Sequence, residues 1–353
     1  MTQERVLVEV VVDESVDNIV GTGIEPAEHP HALDAGVIKG IPLVLAAVFC
    51  FAIMDTIAKY LGAFYPVLAL VWARYTVHML IMLAWLGPSM KLNLVRTSRP
   101  RLQILRGLFL VGSTCFFFQA LRQMPMAEAS AIGFMTPLLV TLLAVPILKE
   151  KISRRRWIAV IVGFIGVMII IRPGGKVFSP AALLPLGTAL CFSLYQIITR
   201  KLHAENPRTS LFYSALVGSL ALTVVLLVGY WIVPFEVATP TFWHSVLIVA
   251  LGAIGGLGHL VLIRALRKAP ASVLAPFYYT QLVWIILFGF LAFGDFPDGW
   301  TLLGTIVIVG SGLYVAYGER VHFRKVTPPT SKLGYYCVAI GACLLLLLAD
   351  SVK

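Results

Sequence analysis

Apolar residues in this chain run in blocks instead of alternating with polar ones. Ten blocks lie near residues 41–62, 67–86, 104–121, 127–148, 157–172, 179–199, 209–233, 243–263, 272–293 and 301–318. Each is close to the roughly twenty residues that cross a bilayer as an α-helix. A helix satisfies its own backbone hydrogen bonds, which lipid demands. The breaks between blocks carry turn formers: Tyr65-Pro66, Arg172-Pro173-Gly174-Gly175, Asn206-Pro207 and Pro297-Asp298-Gly299. Pro137, Pro146, Pro185 and Pro276 sit inside or near the ends of spans, where proline kinks a helix or frees a carbonyl. The pattern predicts an all-α polytopic membrane protein with ten transmembrane helices. Leu333–Ala349 is a further apolar stretch at the lower length limit for a span. It reads either as an eleventh, carboxyl-terminal helix or as a tail lying in the interface.

Composition agrees: 59% of residues are hydrophobic and 13% charged, against about a quarter charged in a soluble domain. Five cysteines (Cys50, Cys115, Cys191, Cys337, Cys343) lie within apolar runs and lack metal-ligand spacing, so neither a metal site nor a disulfide framework is expected. Residues 1–38 hold eight acids and one base and read as an acidic, disordered cytoplasmic tail without a cleavable signal peptide. Its VLVEVVV patch could also form a short strand or binding motif, and His29 and His31 are not expected to bind metal.

The remaining charges decide orientation. The loops after the second, fourth, sixth, eighth and tenth blocks hold nineteen Lys and Arg, and the other loops hold only Arg122, Arg172 and Lys176. Basic loops stay in the cytoplasm. The amino terminus is therefore expected inside, in a bacterial inner membrane. Bases placed this way are a topology signal and imply no nucleic-acid partner.

The chain also repeats. Ala120, Leu121, Arg122 and Pro125 meet Ala265, Leu266, Arg267 and Pro270 at an offset of 145, and Glu150 meets Asp295. At an offset of 141, Cys50-Phe51 meets Cys191-Phe192, Asp55 meets Gln196, Lys59 meets Arg200 and Pro66 meets Pro207. Five spans are thus repeated, over residues 39–174 and 175–320, with a basic linker and apolar segment at 321–353. Five is odd, so the second copy enters the bilayer from the opposite face. Inverted repeats mark many secondary transporters, with the site near the midplane between the halves.

Ionisable groups inside spans are costly and face a cavity or a partner. Asp55 and Lys59 lie four apart on one helix face, either as a cation or proton site or as a static ion pair. Arg74 offers a planar fork for an anionic group, or pairs with Asp55 or carbonyls. His78 and His259 are proton-shuttle candidates or packed core histidines. Arg106 and Arg264, placed near span ends, are expected to snorkel to the interface. Tyr195 and Gln196, with Tyr278, Tyr279, Gln281 and Trp284, could line a site that stacks a planar group and hydrogen-bonds its edge, or simply pack. Gly252 and Gly256 have the spacing for close helix contact. No phosphate-binding loop, zinc-binding helix or nucleophile elbow is present. No catalytic residues and no cofactor are therefore expected.

ALRQMPMAEASAIGFMTPLLV, Glu150 before RRRW, GFIGVMIIIRPG, FAIMDTIAKYL and VWARY together resemble the drug/metabolite transporter superfamily, of the EamA type, over residues 41–318. The resemblance implies ten helices, cytoplasmic ends and alternating access around a central cavity. FAIMDTIAKYL is similar to subgroups with members linked to riboflavin or S-adenosylmethionine uptake; other relatives export amino acids. Asp295 is not followed by anything like RRRW, and the segment from Leu333 departs from the family. The expectation is a secondary transporter for a small polar metabolite, amino-acid-, vitamin- or nucleoside-like, with a coupling proton or exchange substrate. The alternatives are a membrane-embedded lipid-modifying enzyme and a non-transporting scaffold or sensor.

Overall fold

A computed structural model describes residues 30–148, 154–172, 180–202, 204–232, 239–268, 274 and 277–324. Among them there is no strand. The helices are α1 (Pro30–Gly62), α2 (Val67–Met90), α3 (Pro100–Gln123), α4 (Met126–Gly133), α5 (Thr136–Leu148), α6 (Arg154–Ile171), α7 (Leu183–Lys201), α8 (Pro207–Ile232), α9 (Phe242–Lys268), α10 (Thr280–Phe293) and α11 (Gly299–Arg324). The helices from Val37 onward belong to one compact unit, Val37–Lys353.

Every expected span meets an apolar helix. Six are long and apolar enough to cross a membrane, and four apolar helices are shorter: Met126–Val140, Trp157–Ile171, Thr280–Phe293 and Gly299–Tyr314. Two boundaries differ from expectation. Helix α1 begins at Pro30, so residues 30–38 are helical where a disordered tail was expected. The fourth span is broken into α4 and α5 at Phe134 and Met135. Pro137 has no N–H to give the Gly133 carbonyl. The Thr136 hydroxyl donates to that carbonyl instead, at 2.8 Å. The VLVEVVV patch, His29, Glu150 and the 333–349 segment lie outside the described residues.

Packing follows the repeat. Helix α2 packs on α8, α4 on α10 and α6 on α11, so the second, fourth and fifth spans each meet their own repeat mates. The contact of α3 with α8 is likewise mirrored by that of α9 with α2. These are the pairings of two five-span copies related by a pseudo-two-fold axis. At the α6–α11 crossing the backbones touch. A Cβ on Gly304 would lie 2.6 Å from the Gly166 carbonyl oxygen, and one on Gly166 would lie 2.9 Å from that of Gly304. Only glycine allows this approach.

The outward faces carry large apolar side chains, from Leu80 and Ile161 to Leu227 and Phe290. Exposed tryptophans sit at both ends of the bundle: Trp231, Trp243 and Trp300 at one, Trp85 and Trp157 at the other. Aromatic rings at both levels are the signature of the two membrane interfaces. This is an integral membrane protein.

Candidate functional site: a buried charged centre

The largest core cluster holds Phe51, Val71, Tyr75, Phe118, Tyr195 and Ile285, drawn from both repeats. Beside it lie four buried ionisable side chains: Asp55, Arg74, His78 and His259. Arg74 projects from α2. Its Nη1 donates to Thr114 Oγ1 at 3.1 Å, and the guanidinium stands 4.6 Å from the Tyr75 ring centre. Thr114 gives its own proton to the Leu110 carbonyl at 2.9 Å. Thr114 therefore accepts from Arg74, and Tyr75 Oη donates to it at 2.9 Å. Arg74 Nε has no partner.

Asp55, on α1, accepts from Gln281 Nε2 at 3.2 Å. It forms no ion pair within 4.0 Å among the described residues, although Arg74 acts on it electrostatically. Lys59 does not turn back to Asp55. It pairs with Asp295 at 2.7 Å and reaches the Met124 carbonyl at 3.5 Å. Of the two sequence readings, the static Asp55–Lys59 ion pair is thus not formed. Lys59 stands at the helix end, where a nearer acid on α10's C-terminal side captures its long side chain.

The histidines complete the centre. His259 lies between rings, 4.8 Å from Phe51 and 6.1 Å from Tyr195. Among the described residues, His78 Nε2, His259 Nδ1 and Tyr278 Oη are buried without hydrogen-bond partners. Each orphaned group costs about 1–3 kcal/mol. Such groups are rare unless a ligand or function uses them. Arg74 lies within electrostatic range of both histidines. The centre thus offers a carboxylate, a guanidinium, two imidazoles and several aromatic faces.

Other expected residues lie elsewhere or serve packing. Arg106 does not snorkel: it is fully buried. It donates to Thr199, the Ser210 carbonyl, Ser214 and Tyr195 Oη, at 2.7, 2.7, 2.9 and 3.0 Å. Position along the helix suggested an interface, but the side chain faces α7 and α8. Arg264 is exposed. Tyr195 is held by Arg106 and stacks on Phe192 at 5.4 Å. Tyr279 packs edge-on to Phe134, its repeat mate, at 5.5 Å, and its hydroxyl is unpartnered. Trp284 joins Phe49 and Phe288 in an aromatic trio. Gln196 is half-buried.

Sequence reasoning placed Thr114 among hydroxyls that could line a site but gave it no partner, and gave the α9 glycines no role beyond close helix contact. A Cβ on Gly255 would lie 3.0 Å from Arg74 Nε, on Gly256 2.7 Å from the His78 ring, and on Gly258 2.7 Å from Phe51. These glycines make room for the centre itself. The repeat offered one signal: the offset of 145 that aligns the hinges also aligns Thr114 with His259.

Comparison with known proteins agrees with this architecture. The chain is 31% identical over 287 residues to an S-adenosylmethionine uptake transporter of Rickettsia bellii, covering 81% of this chain and 96% of that protein. It is 27% identical over 292 residues to a riboflavin transporter of Vibrio cholerae, covering 82% and 96%. It is 27% identical over 272 residues to a pseudopaline exporter of Pseudomonas aeruginosa, covering 77% and 93%. A crystal structure sharing 20% identity superposes with a TM-score of 0.58, covering 80% of this chain and 98% of that one, which shows the common fold. The family description "EamA-like transporter family" matches twice, over residues 38–172 and 179–317. With two matches that take in nearly the whole helical bundle, the chain belongs to the EamA-like transporter family.

Proposed function

We propose that this protein is a secondary transporter of the bacterial inner membrane that carries a zwitterionic metabolite with a planar aromatic part, of which S-adenosylmethionine is the first candidate. Residues 39–174 and 175–320 are the halves that move, the amino terminus is cytoplasmic, and a proton or an exchanged substrate drives the cycle. The observation that carries this reading is the set of orphaned polar atoms on Arg74, His78 and His259, with the buried Asp55 also within the electrostatic reach of Arg74. Arg74 would hold the substrate's carboxylate through its free Nε edge. Asp55 would face the cationic group, with Gln281 orienting its carboxylate. The Phe51 ring beside His259 would meet a heteroaromatic base. The names of the most similar relatives support the substrate class, since two of them are named for nucleoside- or flavin-type molecules.

The test is uptake of radiolabelled S-adenosylmethionine into proteoliposomes, with riboflavin and a neutral amino acid as parallel arms. The expected result is saturable uptake of the first. Loss of a buried charged contact typically costs 2–5 kcal/mol, about a hundredfold in affinity. Arg74→Ala and Asp55→Asn should each lower uptake about a hundredfold at substrate levels well below saturation. Uptake unchanged in both variants would remove the centre from the transport path.

A further inference from the structure

We propose that Lys59 and Asp295 form an ionic lock that closes one face of the bundle over the charged centre and must part during each transport cycle. This inference rests on the transport reading above. Helix α1 meets the segment around α10 at two levels. Deep in the bundle, Asp55 accepts from Gln281 at 3.2 Å. One helical turn nearer the end, Lys59 pairs with Asp295 at 2.7 Å. Lys59 belongs to the first repeat and Asp295 to the second, so the pair ties the two halves.

Local structure aims both partners. Gly294 takes a left-handed conformation, φ 72°, and ends α10 so that Asp295 turns back toward the bundle. Lys59 Nζ also reaches the Met124 carbonyl, at the hinge between α3 and α4, and lies 5.0 Å from the Phe293 ring centre. Around this pair stand further charges. Arg172 ends α6 with a positive φ of 47°, unusual for a residue with a side chain, and pairs with Asp298 just before α11. Glu128, in the first turn of α4, is within electrostatic range of Asp298, Arg172, Asp295 and Lys59. Two ion pairs thus join α1 to the end of α10, and the end of α6 to the start of α11, at one end.

The lock is breakable. The Lys59 and Asp295 side chains keep 16% and 35% of their exposure. A pair so close to water is weak, unlike one sealed in the core. A substrate that binds the open form better can part it.

The experiment uses the full chain in membranes, with its five cysteines replaced by serine and one probe cysteine, Met54→Cys, placed beside Arg74 and Gly255. A membrane-impermeant maleimide is added to each side in turn. Lys59→Gln and Asp295→Asn should each raise the labelling rate from one side about tenfold. The charge swap Lys59→Asp with Asp295→Lys should return it to the starting rate. Either single variant that folds, judged by a single peak in size exclusion, suffices for the first arm. Equal labelling across all folded variants would overturn the lock. So would a swap as open as the single variants. Substrate uptake measured on the same proteins separates this outcome from failure of the transport reading: uptake that still depends on Arg74 with no change in labelling leaves the transporter standing and removes only the lock.

Discussion

In the first repeat, α1 carries Asp55, and α2 carries Arg74 and His78. At the offset of 141, the same places in the second repeat hold Gln196, Ala215 and Ser219. The skeletons match closely enough that repeat mates touch, as at Phe134 and Tyr279. The chemistry does not match. Ala215 is fully buried, and Ser219 shares a hydrogen bond of 2.9 Å with Thr76. The fold needs the symmetry, because each half covers the other's inner face. The site needs its loss. A second Asp and Arg would add two more buried charges, each expensive to desolvate. The second repeat instead contributes a neutral partner to a charge of the first, Gln281 to Asp55.

The largest expected effect breaks this comparison at the charged half. Arg74→Ala should lower uptake by about a hundredfold, the usual scale for removing a buried charged contact. Ser219→Ala, in the helix that mates with α2, should change it by less than about tenfold, the upper cost of one hydroxyl contact. Equal losses in the two variants would mean that both halves carry the site alike. The measurement is initial uptake rate at matched protein in the bilayer, so that stability and activity are read separately.

Much of this was legible in the sequence, for one physical reason. Burying charge is costly, so Asp55, Arg74, His78 and His259 stand out in apolar runs, and the structure brings all four into the core. Apolar blocks and turn formers likewise marked the helices. Azimuth and long-range choice of partner were not legible. Spacing put Lys59 on the face of Asp55, but its partner lies 236 residues away. Arg106 was near a span end, yet faces α7 and α8. Trp284 shares a helix with Gln281 but turns to Phe49. A period gives the relative direction of side chains on one helix; which neighbour receives them depends on packing from distant parts of the chain.

The shared skeleton has its own test, of intermediate size. Gly304 and Gly310 lie on one helix. A Cβ on Gly304 meets the Gly166 backbone, whereas one on Gly310 meets nothing within 4 Å. Gly304→Val should destabilise the fold by about 1–3 kcal/mol through overpacking. Gly310→Val should stay within about 0.5 kcal/mol. Chemical unfolding in mild detergent reads both. Similar values for the two would remove the close α6–α11 crossing from the account of how the halves are joined.

The smallest effect compares two end clamps that the repeat places at opposite faces. Before α3 and after α7, Ser98 donates to Glu205 Oε1 from its backbone N–H at 3.1 Å and its hydroxyl at 2.6 Å. The equivalent place before α9 and after α1 is aromatic: Tyr65 Oη and His244 Nδ1 are 2.8 Å apart, with Phe64 4.8 Å from the His244 ring. Only the first clamp holds a carboxylate. The Ser98 hydroxyl, more than any other group, pulls Glu205 below its ordinary value of 4.5. The unfolded chain therefore takes up this proton at a higher pH than the folded one. The contact's stabilisation is complete above the unfolded value and is lost as pH falls through the folded one. Glu205 is half-buried at the surface, so water and salt weaken the effect. Glu205→Gln should lower the thermal midpoint by about 1–2 °C at neutral pH. Below about pH 4.5 the wild type gives up that increment and the variant has none to lose, so the two midpoints should converge. A gap that stays constant down to pH 3 would show that the carboxylate's charge has no part in the clamp, and the difference between the two ends would then be one of shape alone.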